Sequence, residues 1–185
     1  KIAGKDADEF SYIPMIEKEG YISVSQFTLK EIIRQTIFSA ASGDVNKLMT
    51  GELFEVYENE LKVTSLDGHR IAIRKVRLKD SYASQKVVVP GKTLTEVSKI
   101  LSGDVDKEVL IFFGPNHILF EFDRTIVLSR LIEGEYFRVQ QMLSGDYETK
   151  MNVNKKDFLD SIERAVLLVR ENDKKPIILN LQDQI

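Results

Sequence analysis

The chain repeats itself at two scales, and repetition restricts the possible folds more than composition does. Glu9-Phe10 and Ile13 recur as Glu135-Tyr136 and Val139, an offset of 126 residues. Ile32-Ile33 and Thr36 recur as Phe158-Leu159 and Ile162 at the same offset. Leu53-Phe54 and Val56 resemble Ile178-Leu179 and Leu181 at nearly that spacing. A second period lies inside the first. Thr28-Leu29-Lys30-Glu31-Ile32 parallels Thr93-Leu94-Thr95-Glu96-Val97, 65 residues later. The large unit is therefore expected to be a domain made of two similar halves.

Each half has the same order of elements. Leu29, Ile32, Ile33, Thr36, Ile37 and Ala40 give residues 28–41 one apolar helical face, and Leu94, Val97, Ile100 and Leu101 do so for 93–101. Thr28 with Glu31 and Thr93 with Glu96 read as capping boxes, and Asn154 with Asp157 as a looser one. Strand-like stretches follow each helix, at 52–57, 61–66 and 70–77 and then at 108–113, 117–122 and 125–131. Asn59-Glu60, Asp67-Gly68, Gly114-Pro115-Asn116 and Asp123-Arg124 supply the turns. A further strand precedes each helix, at 22–27 and 86–89. The result is β-α-β-β-β twice, an α+β layered domain. Residues 1–19 then read as the tail of a preceding copy with its linker, 20–143 as one complete domain with the following linker, and 144–185 as the opening strand, helix and strand of the next.

The chemistry available is limited. The chain has no cysteine and only two histidines, His69 and His117, so disulfides, thiolate zinc sites and thiol nucleophiles are excluded and a His-rich metal site is not expected. No cofactor and no catalytic residue is expected. Its longest apolar runs are strand-sized, so no membrane span is expected. Beginning with Lys1 and carrying no signal-peptide pattern, the chain is expected to be part of a cytosolic protein. Pro90-Gly91-Lys92-Thr93 sits where a phosphate loop would, between strand and helix. The glycine such a loop needs five positions earlier is Lys86, and Pro90 removes a backbone donor. A turn explains the string better than a nucleotide-binding enzyme does.

Two features invite a binding function. Asp67-Gly68 is a turn, but a turn does not account for His69-Arg70 directly after it, which suggests a binding surface there. The net charge of −3 excludes a generally basic nucleic-acid coat. Even so, Lys30 and Arg34 lie on the polar side of the first helix, and Lys92 and Lys99 on that of the second. Helices of successive repeats facing one polyanion would touch phosphates without reading bases.

Against this background the sequence resembles the bacterial DNA polymerase III β subunit family, the sliding clamps. The resemblance rests on Gly51 with Leu53-Phe54-Glu55, on Thr64 to Ala72 including Asp67-Gly68-His69-Arg70, on Val87 to Lys92, and on Leu131 to Gly134 with Tyr136. It implies a DNA-clamp fold: a ring of six similar domains from two subunits, helices lining the hole and sheets outside. It implies a non-catalytic processivity factor, in the bacterial cytoplasm, that encircles duplex DNA without sequence specificity. The implied partners are the replicative polymerase, the clamp loader, repair proteins and a second clamp subunit. The implied peptide pocket takes Met49, Leu66, Gly68, His69, Arg70 and Ile71 from the middle domain and Phe137, Gln141 and Met142 from the linker. Phe137 and Gln141 depart from the Pro and Arg that the family often has. The other reading is a stand-alone protein-interaction module.

Overall fold

The computed structural model describes Gly4, Asp6, Lys18 and residues 20–43, 46–143, 145, 148–167 and 177–181. Most of the expected tail, residues 1–19, lies outside the described residues. The chain divides into two compact units, Lys1–Phe137 and Arg138–Ile185.

In the first unit the order is β1 (Tyr21–Ser25), α1 (Gln26–Thr36), two single 3-10 turns (Ile37–Ser39 and Lys47–Thr50), β2 (Gly51–Leu66), β3 (Ile71–Pro90), α2 (Gly91–Ile100), β4 (Glu108–Phe113), β5 (His117–Phe122) and β6 (Thr125–Arg130). The β-α-β-β-β pattern is present twice, with some boundaries moved. Both helices begin earlier than the capping boxes imply. Ser25 caps α1, accepting from the Thr28 backbone N–H at 3.1 Å, and its hydroxyl donates to the Thr28 hydroxyl at 2.8 Å. The Gln26 and Phe27 N–H groups donate to the Lys107 and Asp104 carbonyls, so the exposed donors of the first turn are met by a loop of the other half. Before α2 stands Pro90, with no side-chain cap, and the Thr93 hydroxyl bonds Ser129 instead at 2.7 Å.

The sheets show why two halves make one domain. β1 pairs antiparallel with β4 (Ser25 with Glu108, Tyr21 with Phe112), in the sheet β1-β4-β5-β6. The first strand of the first half thus completes the sheet of the second. The exchange is reciprocal, since residues 85–90 of β3, which lead into α2, pair with 51–56 of β2. The rest of β3 pairs with the other end of β2, residues 60–66 against 71–77, with register shifts around Glu58. Glu55 and Lys62 form an ion pair at 2.9 Å. On a straight strand they would stand about 23 Å apart, so β2 doubles back at Glu58-Asn59, where Glu58 has φ 50°. Asp123 holds the same angle in the turn between β5 and β6.

One core joins the two halves of the first unit. Leu29, Ile32 and Ile33 of α1 and Leu94 and Val97 of α2 meet Phe54, Val56, Leu61 and Val63 of β2 and Ile111, Ile118 and Phe120 of the other sheet. Gln26 is also fully buried and acts as a polar clip. Its carbonyl accepts from the Ser102 N–H at 2.9 Å and the Ser102 hydroxyl at 2.8 Å, and its amide donates to Asp123 at 3.2 Å. Asp123 is held below the usual carboxylate range by that bond and by Lys107.

The second unit contains α3 (Val139–Met142), one turn long, and α4 (Lys155–Val166). Asn154 caps α4 as its sequence implies, accepting from the Lys156 and Asp157 N–H groups. The expected flanking strands do not form in residues 148–154 or 177–181, because a strand needs a neighbour and none is present among the described residues of this unit.

Candidate peptide and nucleic-acid surfaces

The Asp67–Arg70 loop is closed by its own side chains. The Asp67 carboxylate accepts from the N–H groups of His69 at 3.1 Å and Arg70 at 3.2 Å and from Arg70 Nε at 2.9 Å. The bond from the His69 N–H, more than any other contact, holds Asp67 below its ordinary pKa. Gly68 stands at φ 87°, a region that tolerates glycine best. His69 and Arg70 are left exposed, while Leu66, just before the loop, is buried and Ile71, just after it, is half-buried.

The reversal of β2 gathers the rest. Counting outward from the Glu55–Lys62 pair sets Gly51 against Leu66, which brings Met49 to the same end of the hairpin. The Tyr136 hydroxyl marks this end, donating toward the Gly51 carbonyl at 3.4 Å and lying beside the Leu66 backbone. Burial pushes the Tyr136 hydroxyl pKa well up. Phe137 meets Tyr136 edge-to-face, ring centroids 5.7 Å apart. The Ala41 N–H donates to the Met49 carbonyl at 2.8 Å, and Ser65 Oγ donates to the Thr36 carbonyl, which ties the end of α1 to this cluster. Met49, Leu66, Gly68, His69, Arg70, Ile71 and Phe137 therefore share one end of the first unit. Gln141 and Met142 are exposed on α3 of the second unit. A cavity of about 350 Å³, lined in part by Leu53, Val88, Ile132 and Tyr136, includes none of the expected pocket residues.

Three residues of this end escaped the sequence reading. Tyr136 supported the resemblance without being given a role. Phe38 sits in the 3-10 turn after α1, more than half exposed, with its ring 5.8 Å from the Arg70 guanidinium. Its signal is a phase break: Ile37 continues the apolar face and Phe38 falls off it. Glu52 is fully buried, and neither carboxyl oxygen has a hydrogen-bond partner among the described residues. The Thr36 hydroxyl beside it already donates to the Ile32 carbonyl at 2.8 Å. Burial pushes the Glu52 pKa to about 8.

The four helix cations differ in their surroundings. Lys30 is half-buried and donates to the Leu101 carbonyl at 2.8 Å, tying α1 to the end of α2. Arg34 is exposed but doubly bonded to Glu31, at 2.8 and 2.7 Å, which lowers the Glu31 pKa and raises that of Arg34. Lys99 pairs with Glu96 at 2.7 Å, and Lys92 is exposed. Among the described residues, no group of three or more His, Cys, Asp or Glu side chains is placed to hold a metal, and no helix is long and apolar enough to cross a membrane.

Two interleaved β-α-β-β-β halves over one core, with their helices tied side by side, define a DNA-clamp domain. Residues 23–137 match the family described as DNA polymerase III beta subunit, central domain. The beta sliding clamp of Staphylococcus epidermidis is 35% identical over 184 residues, covering 100% of this chain and 48% of that protein. A putative DNA polymerase III beta subunit from Eubacterium rectale superposes with a TM-score of 0.94 at 63% identity, over 98% of this chain and 50% of that one. The DNA polymerase sliding clamp of Bacillus subtilis gives 0.86 at 38%, over 91% and 44%. This chain belongs to the DNA polymerase III beta subunit family. It spans about half the length of the curated relatives it matches.

Proposed function

We propose that this chain serves as the middle part of a sliding clamp subunit, a non-catalytic processivity factor of the bacterial cytoplasm. In that reading residues 1–19 end a preceding clamp domain, 20–143 are the middle domain and its linker, and 144–185 open a third. The full-length protein pairs with a second subunit to close a ring around duplex DNA. The observation that carries the proposal is the strand exchange between two halves whose helices lie side by side, in a chain with this family membership. Arg34, Lys92 and Lys99 face DNA and touch phosphates only; Lys30 supports them by tying the helices together. Weak contacts suit the task, since tight phosphate binding would stop sliding.

The replicative polymerase, clamp loader and repair proteins dock through short peptides on the wall of Met49, Leu66, Gly68, His69, Arg70, Ile71 and Phe137, with Gln141 and Met142 as further contacts. The apolar residues anchor and the Arg70 fork orients. The ring is tested by loading the full-length protein onto circular DNA. A salt-resistant complex lost when the circle is cut supports it, and retention on linear DNA refutes it. The docking site is tested by calorimetry with a polymerase-derived peptide. Arg70→Ala should cost on the order of 2 kcal/mol of binding, and unchanged affinity removes the site.

A further inference from the structure

Arg70 is a long side chain on an exposed loop, and such a side chain gives up rotamer freedom when it meets a ligand. The structure removes much of that freedom beforehand. Asp67 takes the Nε edge at 2.9 Å, and the Phe38 ring lies 5.8 Å from the guanidinium carbon, within cation–π range. Phe38 is itself well fixed. Its neighbour Ser39 is buried, Ile37 packs against the core, and the turn closes through the Ala40 N–H donating to the Ile37 carbonyl at 3.0 Å. Phe38 nevertheless stays 56% exposed, a poor use of an aromatic for stability alone. With Nε taken, the two Nη groups of Arg70 have no protein partner among the described residues. The Asp67 carboxylate also balances the guanidinium charge, so the fork suits a neutral acceptor better than a second carboxylate.

We propose that Phe38 is a positioning residue: with Asp67 it holds the Arg70 guanidinium so that both Nη groups present a fork to a main-chain carbonyl of the docked peptide. The inference rests on the peptide-site reading above and adds to it a residue outside the expected pocket. Phe38 acts through Arg70 and need not touch the peptide.

The test is a double-mutant cycle on the full-length protein, with a labelled polymerase-derived peptide as probe and the Arg70 Nε–H resonance as a second readout. Phe38→Leu should weaken binding about three- to tenfold and shift that resonance in the free protein. Phe38→Trp, which keeps an aromatic face, should restore both. In an Arg70→Ala background Phe38→Leu should change nothing further. An equal loss in both backgrounds would mean that Phe38 contacts the peptide directly, which overturns the positioning role. So would full affinity in Phe38→Leu while Arg70→Ala still weakens binding, and in that case the peptide site itself stands. Binding insensitive to Arg70→Ala overturns both.

Discussion

A carboxyl group enclosed in the interior with no cation beside it is more stable protonated than charged, and among the described residues Glu52 is in that position. Thr36 lies next to it and Tyr136 is close enough to feel its charge, and neither supplies a positive charge. In the unfolded chain Glu52 titrates near 4.5, and in the folded domain near 8. The native state therefore binds the extra proton between those values. The stability associated with this group is fully present below about pH 4.5, falls as pH rises toward 8, and is lost above it. The total is on the order of several kcal/mol. Urea unfolding from pH 5 to 9 should show this decline, and Glu52→Met should flatten it and raise stability at pH 8. A decline that persists in Glu52→Met would place its origin elsewhere. The burial of Glu52 is legible in the sequence, since Glu52 is in phase with Phe54 and Val56, two and four positions on.

Turns and ties decide how the elements meet. Glu58 opens the reversal of β2 at φ 50°, where a side chain is strained and glycine is not. Glu58→Gly should raise stability by about 0.5–1 kcal/mol, a net gain after the added freedom of the unfolded chain. A lowered melting temperature would show that the turn relaxes some other way. Lys30→Ala should lose about 1 kcal/mol through the freed Leu101 carbonyl. Its effect on DNA retention should be smaller than that of Lys92→Glu, and the reverse order would make Lys30 a phosphate contact. The helices were legible because their apolar faces repeat every three to four residues. Their starts were not, because Ser25 and Thr28 are both good caps and Ser25, already placed at the end of β1, wins. The loop 67–70 was recognisable from its residues, whereas the Phe38 contact joins positions 32 apart and leaves no local signature.

For the whole first unit, the strand exchange means that neither half holds a complete sheet. Separately made pieces covering residues 20–80 and 81–137 should each lack cooperative unfolding, and mixing them should restore native circular dichroism and a single transition. Independent folding of either piece would contradict the pairing of β1 with β4 and of residues 85–90 with β2. The 65-residue repeat pointed to two halves. It did not show that they trade strands, because partners so far apart in sequence are chosen by the assembled core and not by either segment's own pattern.

The same exchange sets a timetable for the protein during its synthesis. β1 and α1 leave the ribosome before the rest of this unit, and β4, which β1 must join, is made more than eighty positions later. At roughly 5–20 residues per second that delay is on the order of ten seconds. Throughout it Ile22, Val24, Leu29, Ile32 and Ile33 have no finished core to enter. While this unit is being made it is therefore exposed to aggregation in the interval before β4 emerges, and a chaperone has most to shield there.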